Sequence, residues 1–172
     1  MASLDSVLPS LPGAARVWIF AATAPLPDNT QRTVLDRLSA FIDEWTSHRQ
    51  DVDGGVTILY DQFIVMAGAR TDGTAPSGCA IDDATHAVDA VADAHNIAWV
   101  PSLHVLYRTD EGEIAAVPRS TAQAEADAGR FTTGTAVFDP SVSTLGAVRS
   151  GAFEQPAGQS WHADAFSLPT PA

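Results

Sequence analysis

The single cysteine, Cys79, lies in Ser77-Gly78-Cys79-Ala80-Ile81-Asp82, where a glycine-bearing loop runs into an apolar periodic stretch. A thiol at a helix N-terminus is favoured as thiolate by the dipole and the free N–H groups, which makes a nucleophile or a redox sensor. His48 is the candidate base for such a thiol. The same N–H groups also make an anion site, with Ser77 and Gly78 at the helix start and Arg70 or Arg108 as guanidinium partners. The alternative is structural. Cys79 is then a small, half-buried residue packing the helix start, and Asp82, three residues on, completes a box-like cap and raises the thiol pKa.

The other candidates are weaker. His86 falls on the polar face of the same helix beside Asp82, Asp83 and Asp89, a pattern that fits a solvated face. His48, His95, His104 and His162 have no H-x-x-H or C-x-x-C context, so no metal site is expected. Trp161-His162 stands in an irregular tail, where it either docks the tail onto the domain or forms a partner-binding anchor. There is no G-x-S-x-G for a serine nucleophile. The chain has no lysine, so neither a phosphate loop ending in Lys nor a Schiff-base chemistry is available, and no cofactor is expected.

The elements that must position these residues can be read from periodicity. Arg16–Ala21 is a short continuous apolar run, a strand covered on both faces. Asp28 and Gln31 have capping-box spacing, and Val34, Leu35, Leu38, Phe41, Ile42 and Trp45 form one apolar stripe, so a helix is expected from Asp28 to about His48. Gly54-Gly55 marks its break. Residues 56–60 and 63–67 flank Asp61-Gln62 as a hairpin. A second helix from about Ala80 buries Ile81, Ala84, Val88, Val91 and His95. Trp99-Val100 with residues 103–107, and then 114–117, read as further strands. A helix capped by Ser120 ends at Gly129, and a last short helix lies near 142–149. This order, β-α-β-β-α-β, fits a ferredoxin-like core plus a C-terminal extension: an α+β fold with a mainly antiparallel sheet and its helices on one face. Such a core gathers Cys79, His48, Arg70, Arg108 and Arg16 at one end. Residues 15–166 are expected as one domain, with a loose arm at 1–14 and a disordered tail at 167–172.

Composition sets the outer bounds. The 172 residues are 45% hydrophobic, with four Trp, seven Phe and two Tyr, enough for a sizeable core. The net charge is −12; all nine basic residues are Arg, and 16 of the 21 acids are Asp. That surface repels phosphate backbones and anionic lipid, so no nucleic-acid or membrane role is expected. Strong acidity of this kind also matches proteins of salty interiors. One cysteine, no 18-residue apolar run and an acid at position 5 point to the cytoplasm and away from a secretory leader.

Several segments together resemble a family of small bacterial proteins that often carry the genome label "ABC transporter ATPase". They are Arg16-Val17-Trp18-Ile19, Trp45-Thr46-Ser47-His48, Ser77 to Asp82, Phe138-Asp139 and Gln155 to His162. The likeness covers most of residues 15–166 and departs at Ala80, where Ser is usual, at Phe153, where Trp is usual, and in the scarcity of basic residues. It implies no mechanism, and the ATPase of the label would need a Walker lysine and an LSGGQ segment that this chain lacks.

Three functions follow as expectations. The first is a non-catalytic module that binds a protein or small ligand, with homo-oligomerisation through a sheet face left open. The second is a thiol enzyme or redox sensor built on Cys79 and His48. The third is anion or small-ligand binding at 77–82.

Overall fold

The computed structural model describes residues 4–47 and 49–172. The chain makes two compact units where the sequence reads as one domain: the first runs through Trp99 and takes back Pro140–Ser150, and the second holds Val100–Asp139 and Gly151–Ala172. Both are built on antiparallel sheets with helices, an α+β fold.

In the first unit, strand β1 (Arg16–Ala21) pairs antiparallel with β4 (Phe63–Arg70), and β4 pairs antiparallel with β3 (Gln50–Leu59). β1 and β3 are therefore parallel with β4 between them, the split β-α-β arrangement that the element order predicts. β4 is covered on both faces, as its unbroken apolar run requires. Helices α1 (Asp28–Asp43) and α2 (Gly78–His95) bury Val34, Leu38, Ala84, Val88 and Val91 in a cluster with Ile64 and Met66 of the sheet.

Trp45 explains why α1 stops at Asp43 and not near His48. Its indole leaves the helix to lie over a paired glycine step, Gly54 opposite Gly68. A Cβ on Gly68 would fall 2.5 Å from Trp45 Cζ3, and one on Gly54 3.1 Å from Cε3. Gly54 thus sits inside β3, not at a break, because only a bare backbone leaves room for the ring. The chain turns after Trp45 into the two-residue β2 (Thr46–Ser47), which pairs with Gln50–Asp51. The expected capping box does not form: Gln31 donates to the Leu26 carbonyl at 2.8 Å and to Asp61 Oδ1 at 3.1 Å.

The fourth strand of the ferredoxin pattern is the point of departure. Trp99 makes one bridge with Ala22. Pro101 has no N–H and ends the ladder there, and His104 N–H turns back to the Pro101 carbonyl at 3.0 Å. Residues 104–108 join the second unit instead.

The N-terminal arm expected to be loose is packed. Leu4, Val7 and Leu11 are buried, and Leu8 and Leu11 lie against Gly55. Arg149, the last residue of α4 (Leu145–Arg149), donates to the carbonyls of Val7 at 3.0 Å, Leu8 at 2.6 Å and Leu11 at 3.0 Å.

The second unit's sheet has the order β6 (Ile114–Pro118), β5 (His104–Arg108), β7 (Ala136–Phe138), β8 (Glu154–Pro156). Helix α3 (Arg119–Asp127) contributes Ala122 and Ala126 to a core with Val105, Tyr107, Phe131, Val137 and Phe166. The tail expected to be disordered is also held: Ser167 N–H donates to Gln123 Oε1 at 3.3 Å, and Thr133 N–H to the Pro169 carbonyl at 2.9 Å. Its short helix α5 (His162–Ala165) seats His162 in the interior.

Candidate functional site

Helix α2 begins two residues before the expected start. Ser77 is its N-cap, with Oγ accepting from Ala80 N–H at 3.4 Å, so the capping residue is Ser77 and not Cys79. Cys79 is the second residue of the helix and is exposed, not half-buried. Gly78 is open as well: a Cβ there would meet nothing within 4 Å. The first turn therefore presents a bare backbone and a free thiol to solvent. It is tied to the sheet by the residue behind it. Trp45 Nε1–H donates to the buried Ala80 carbonyl at 3.0 Å, and the Trp45 ring meets Trp18 edge-on at 5.9 Å between centroids.

Two of the three arginines expected beside Cys79 are engaged elsewhere. Arg70, at the end of β4, donates from Nε to Gln50 Oε1 at 3.2 Å and pairs with Asp72 at 3.5 Å. Thr74 hydroxyl and N–H, followed by Arg70, hold the Asp72 carboxyl below its ordinary range. Arg108 belongs to the second unit, where Nη2 meets the fully buried Glu154 carboxylate at 3.0 Å, Nη1 donates to the Gly112 carbonyl at 3.2 Å, and the guanidinium lies 5.2 Å from the Phe138 ring centroid. The Arg108–Glu154 pair is a structural ion pair, which spacing in sequence does not show because 46 residues separate its members. His48 lies outside the described residues; β2, which precedes it, rests against α2. Arg16 is exposed and has no ion pair among the described residues.

The histidines divide as follows. His86 is exposed on α2. His95 is half-buried, with Nε2 lacking a partner among the described residues, beside a cleft of about 200 Å³ formed by residues 22–27, Thr30 and 95–98. His162 is buried, with Nδ1 2.7 Å from Ser160 Oγ and its ring stacked on Trp161 at 3.8 Å. Burial pushes its pKa down to about 4, Asp139 opposing and Arg119 adding to the shift. Trp161-His162 thus docks the tail through His162, while Trp161 remains 43% exposed with the Arg119 guanidinium 5.5 Å over its ring. Leu103, 75% exposed, precedes His104, which pairs with Pro118, so it lies at the same end of that hairpin as Arg119. Spacing in sequence singles out neither Arg119 nor Leu103, which reads there as part of a strand; the β5–β6 register places both just beyond the His104–Pro118 pair.

A larger cleft of about 550 Å³ in the first unit is walled by Ser10–Pro12, Trp45 and three carboxylates, Asp43, Asp51 and Asp53. Among the described residues, no three His, Cys, Asp or Glu side chains are grouped to hold a metal ion, and no helix is long and apolar enough to cross a membrane. Compared with protein-family models, curated proteins and solved structures, the chain has no match.

Proposed function

We propose that the protein is a non-catalytic, cytoplasmic binding module of the family it resembles, and that its second unit contacts a protein partner. The observation that carries this reading is the exposed Trp161 with the Arg119 guanidinium over its ring, at a hairpin end where Leu103 is also exposed. Trp and Arg are the side chains that most often anchor protein interfaces. Trp161 is left 43% exposed while its neighbour His162 is buried. Arg70 and Arg108, two of the cations expected near Cys79, are engaged by other side chains. The test is a photo-crosslinking residue at position 161 in the producing cell. A discrete adduct that Arg119→Ala removes and Cys79→Ser leaves intact supports the module; no adduct, or one insensitive to Arg119, overturns it.

A second reading has one observation in its favour. Cys79 is exposed in the first turn of an 18-residue helix, where a thiol is open to reagents. Iodoacetamide labelling of the native protein at about pH 7 decides it: a rate well above that of a free thiol of pKa about 8.5 supports a thiol function, and an ordinary rate ends it.

A further inference from the structure

One edge of β1 is filled by β4, and the other is paired only at its ends. Arg16 bridges to Thr144, with Val17 N–H donating to the Ser143 carbonyl at 3.0 Å. Ala22 bridges to Trp99, with Thr23 N–H donating to the Ala98 carbonyl at 2.9 Å. In an antiparallel ladder, alternate residues point their backbone groups to opposite sides. Ala22 N–H points inward, to the Gln62 carbonyl at 2.9 Å, so Val17, Ile19, Ala21 and Thr23 point outward. Ile19 N–H and C=O and the Ala21 N–H therefore face the open edge, and none has a partner among the described residues. None of the usual protections for such an edge, a Lys, a Pro or a bulge, stands at these positions.

Beside this edge runs a cleft of about 260 Å³, lined by Arg16 to Phe20, Thr85 of α2 and Pro140–Ser143. Its shape limits what can enter. Thr144 already occupies the place opposite Arg16 and Trp99 the place opposite Ala22, so an added strand must end before the first and leave the edge before the second. A chain running antiparallel to β1 would present its C-terminus there, and Arg16, exposed and unpaired among the described residues, lines that end of the cleft. A parallel chain would bring an ammonium to the same guanidinium. Charge selects the antiparallel carboxylate.

We propose that this edge captures the C-terminal end of an extended peptide from a partner protein. The peptide exchanges both backbone hydrogen bonds with Ile19 and sets its carboxylate on Arg16. Its last residue lies opposite Trp18 and shares that face of the sheet with Phe20, which selects an apolar side chain there. A second copy of this chain does not suit the site. The segment with Pro169 and Pro171 makes a poor added strand, since neither proline has an N–H and Thr133 N–H already holds the Pro169 carbonyl. The net charge of −12 also opposes self-association.

The test uses the full chain and a fluorescein-labelled peptide, Gly-Ser-Thr-Val-Thr-Val, as free acid and as C-terminal amide, followed by fluorescence anisotropy. The free acid is expected to bind, with amidation or Arg16→Gln each weakening it about tenfold or more, the usual effect of losing a charge-assisted hydrogen bond. Ile19→Pro deletes the outward N–H alone, and Thr85→Arg fills the cleft from the helix side in case the proline variant does not fold; each is expected to abolish binding. Hydrogen exchange should slow at Ile19 and Ala21 when peptide is added. The proposal is overturned if neither peptide binds, if acid and amide bind alike, if Ile19 and Ala21 exchange in the free protein as slowly as β4, or if the chain dimerises through this edge. Any of these leaves the Trp161 surface on the second unit as it was.

Discussion

Replacing Gly68 by Ala puts a methyl group where the Trp45 ring lies, 2.5 Å from Cζ3 and 2.7 Å from Cη2. Neither partner yields easily. Gly68 is in the middle of the two-sided strand β4, and Trp45 is fixed at its other edge by the Nε1–H bond to the Ala80 carbonyl. Overpacking of this kind costs about 1–3 kcal/mol, and a displaced indole would also forfeit that bond, adding about 1 kcal/mol or more. Trp45→Phe is destabilising for a different reason: it removes the second of the two hydrogen bonds that the Ala80 carbonyl accepts, the other coming from its own helix, and leaves a void over the glycines, together about 1–3 kcal/mol. The informative variant is the double one. A phenyl ring does not reach Gly68, so the new methyl partly fills the void, and the two losses should fall short of their sum by at least about 1 kcal/mol. Urea unfolding read by circular dichroism, with exchange of the β4 and α2 amides as a local probe, measures all four corners of the cycle. Additive losses would show that the indole is not seated against Gly68, and the explanation for the early end of α1 would fall with it.

Other perturbations follow from the same geometry. His162 is held neutral with a pKa of about 4 against an unfolded value of 6.5, so stability is full above about pH 6.5 and declines as pH falls towards 4. The decline is at most about 3 kcal/mol, and His162→Asn should flatten that part of a thermal-unfolding pH series; an unchanged slope refutes it. Arg108→Met removes the guanidinium from a carboxylate with no exposed surface, whereas Glu154→Gln leaves an arginine side chain that is 28% exposed. The first should cost about 3–5 kcal/mol and the second clearly less, by chemical denaturation; the reverse order would refute the burial assigned to Glu154. Cys79→Ser should move stability by less than about 0.5 kcal/mol, since the thiol is exposed, and a larger loss in the melting temperature would contradict that exposure.

The β-α-β-β-α order was legible because each element is announced locally: the continuous run at Arg16–Ala21, the stripe from Val34 to Trp45, the hairpin about Asp61, and the loop-to-helix step after Ser77. What was not legible depends on contacts distant in sequence. Gly54-Gly55 reads as a helix stop until Gly68 is placed opposite Gly54 and Trp45 over both. Residues 104–108 read as the sheet's last strand because their apolar pattern is right; Pro101, which diverts them, carries weight only once Trp99 is seen bridging to Ala22. The proline-broken N-terminal arm reads as loose, and what holds it is Arg149, more than 130 residues away by sequence. At the candidate site, Ser77, Gly78 and Cys79 do share one helix turn. Arg70 and Arg108 failed as free cations because an arginine near an acid or amide in space does not stay free, and neither Gln50 nor Glu154 is a sequence neighbour.

This arrangement also bears on why certain short segments would be shared under the proposed family membership. Trp18, Trp45 and the stretch from Ser77 to Asp82 are in three parts of the sequence but form one joint: Trp18 meets Trp45 edge to face, and Trp45 bonds the Ala80 carbonyl. Because a backbone carbonyl is the acceptor, Ala at position 80 serves as well as the Ser usual in the family it resembles, and under that proposal the departure costs the joint nothing. Position 153 is different. Phe153 is fully buried, 5.7 Å from the Phe138 ring centroid, so the Trp usual there needs a larger hole. Phe153→Trp in this chain should therefore destabilise by about 1–3 kcal/mol unless a neighbour such as Phe138 is made smaller with it. Rescue by Phe138→Leu would show the two positions trading volume. If Phe153→Trp alone proves neutral, the interior is looser there than the burial of both rings requires, and the packing explanation for this departure is wrong.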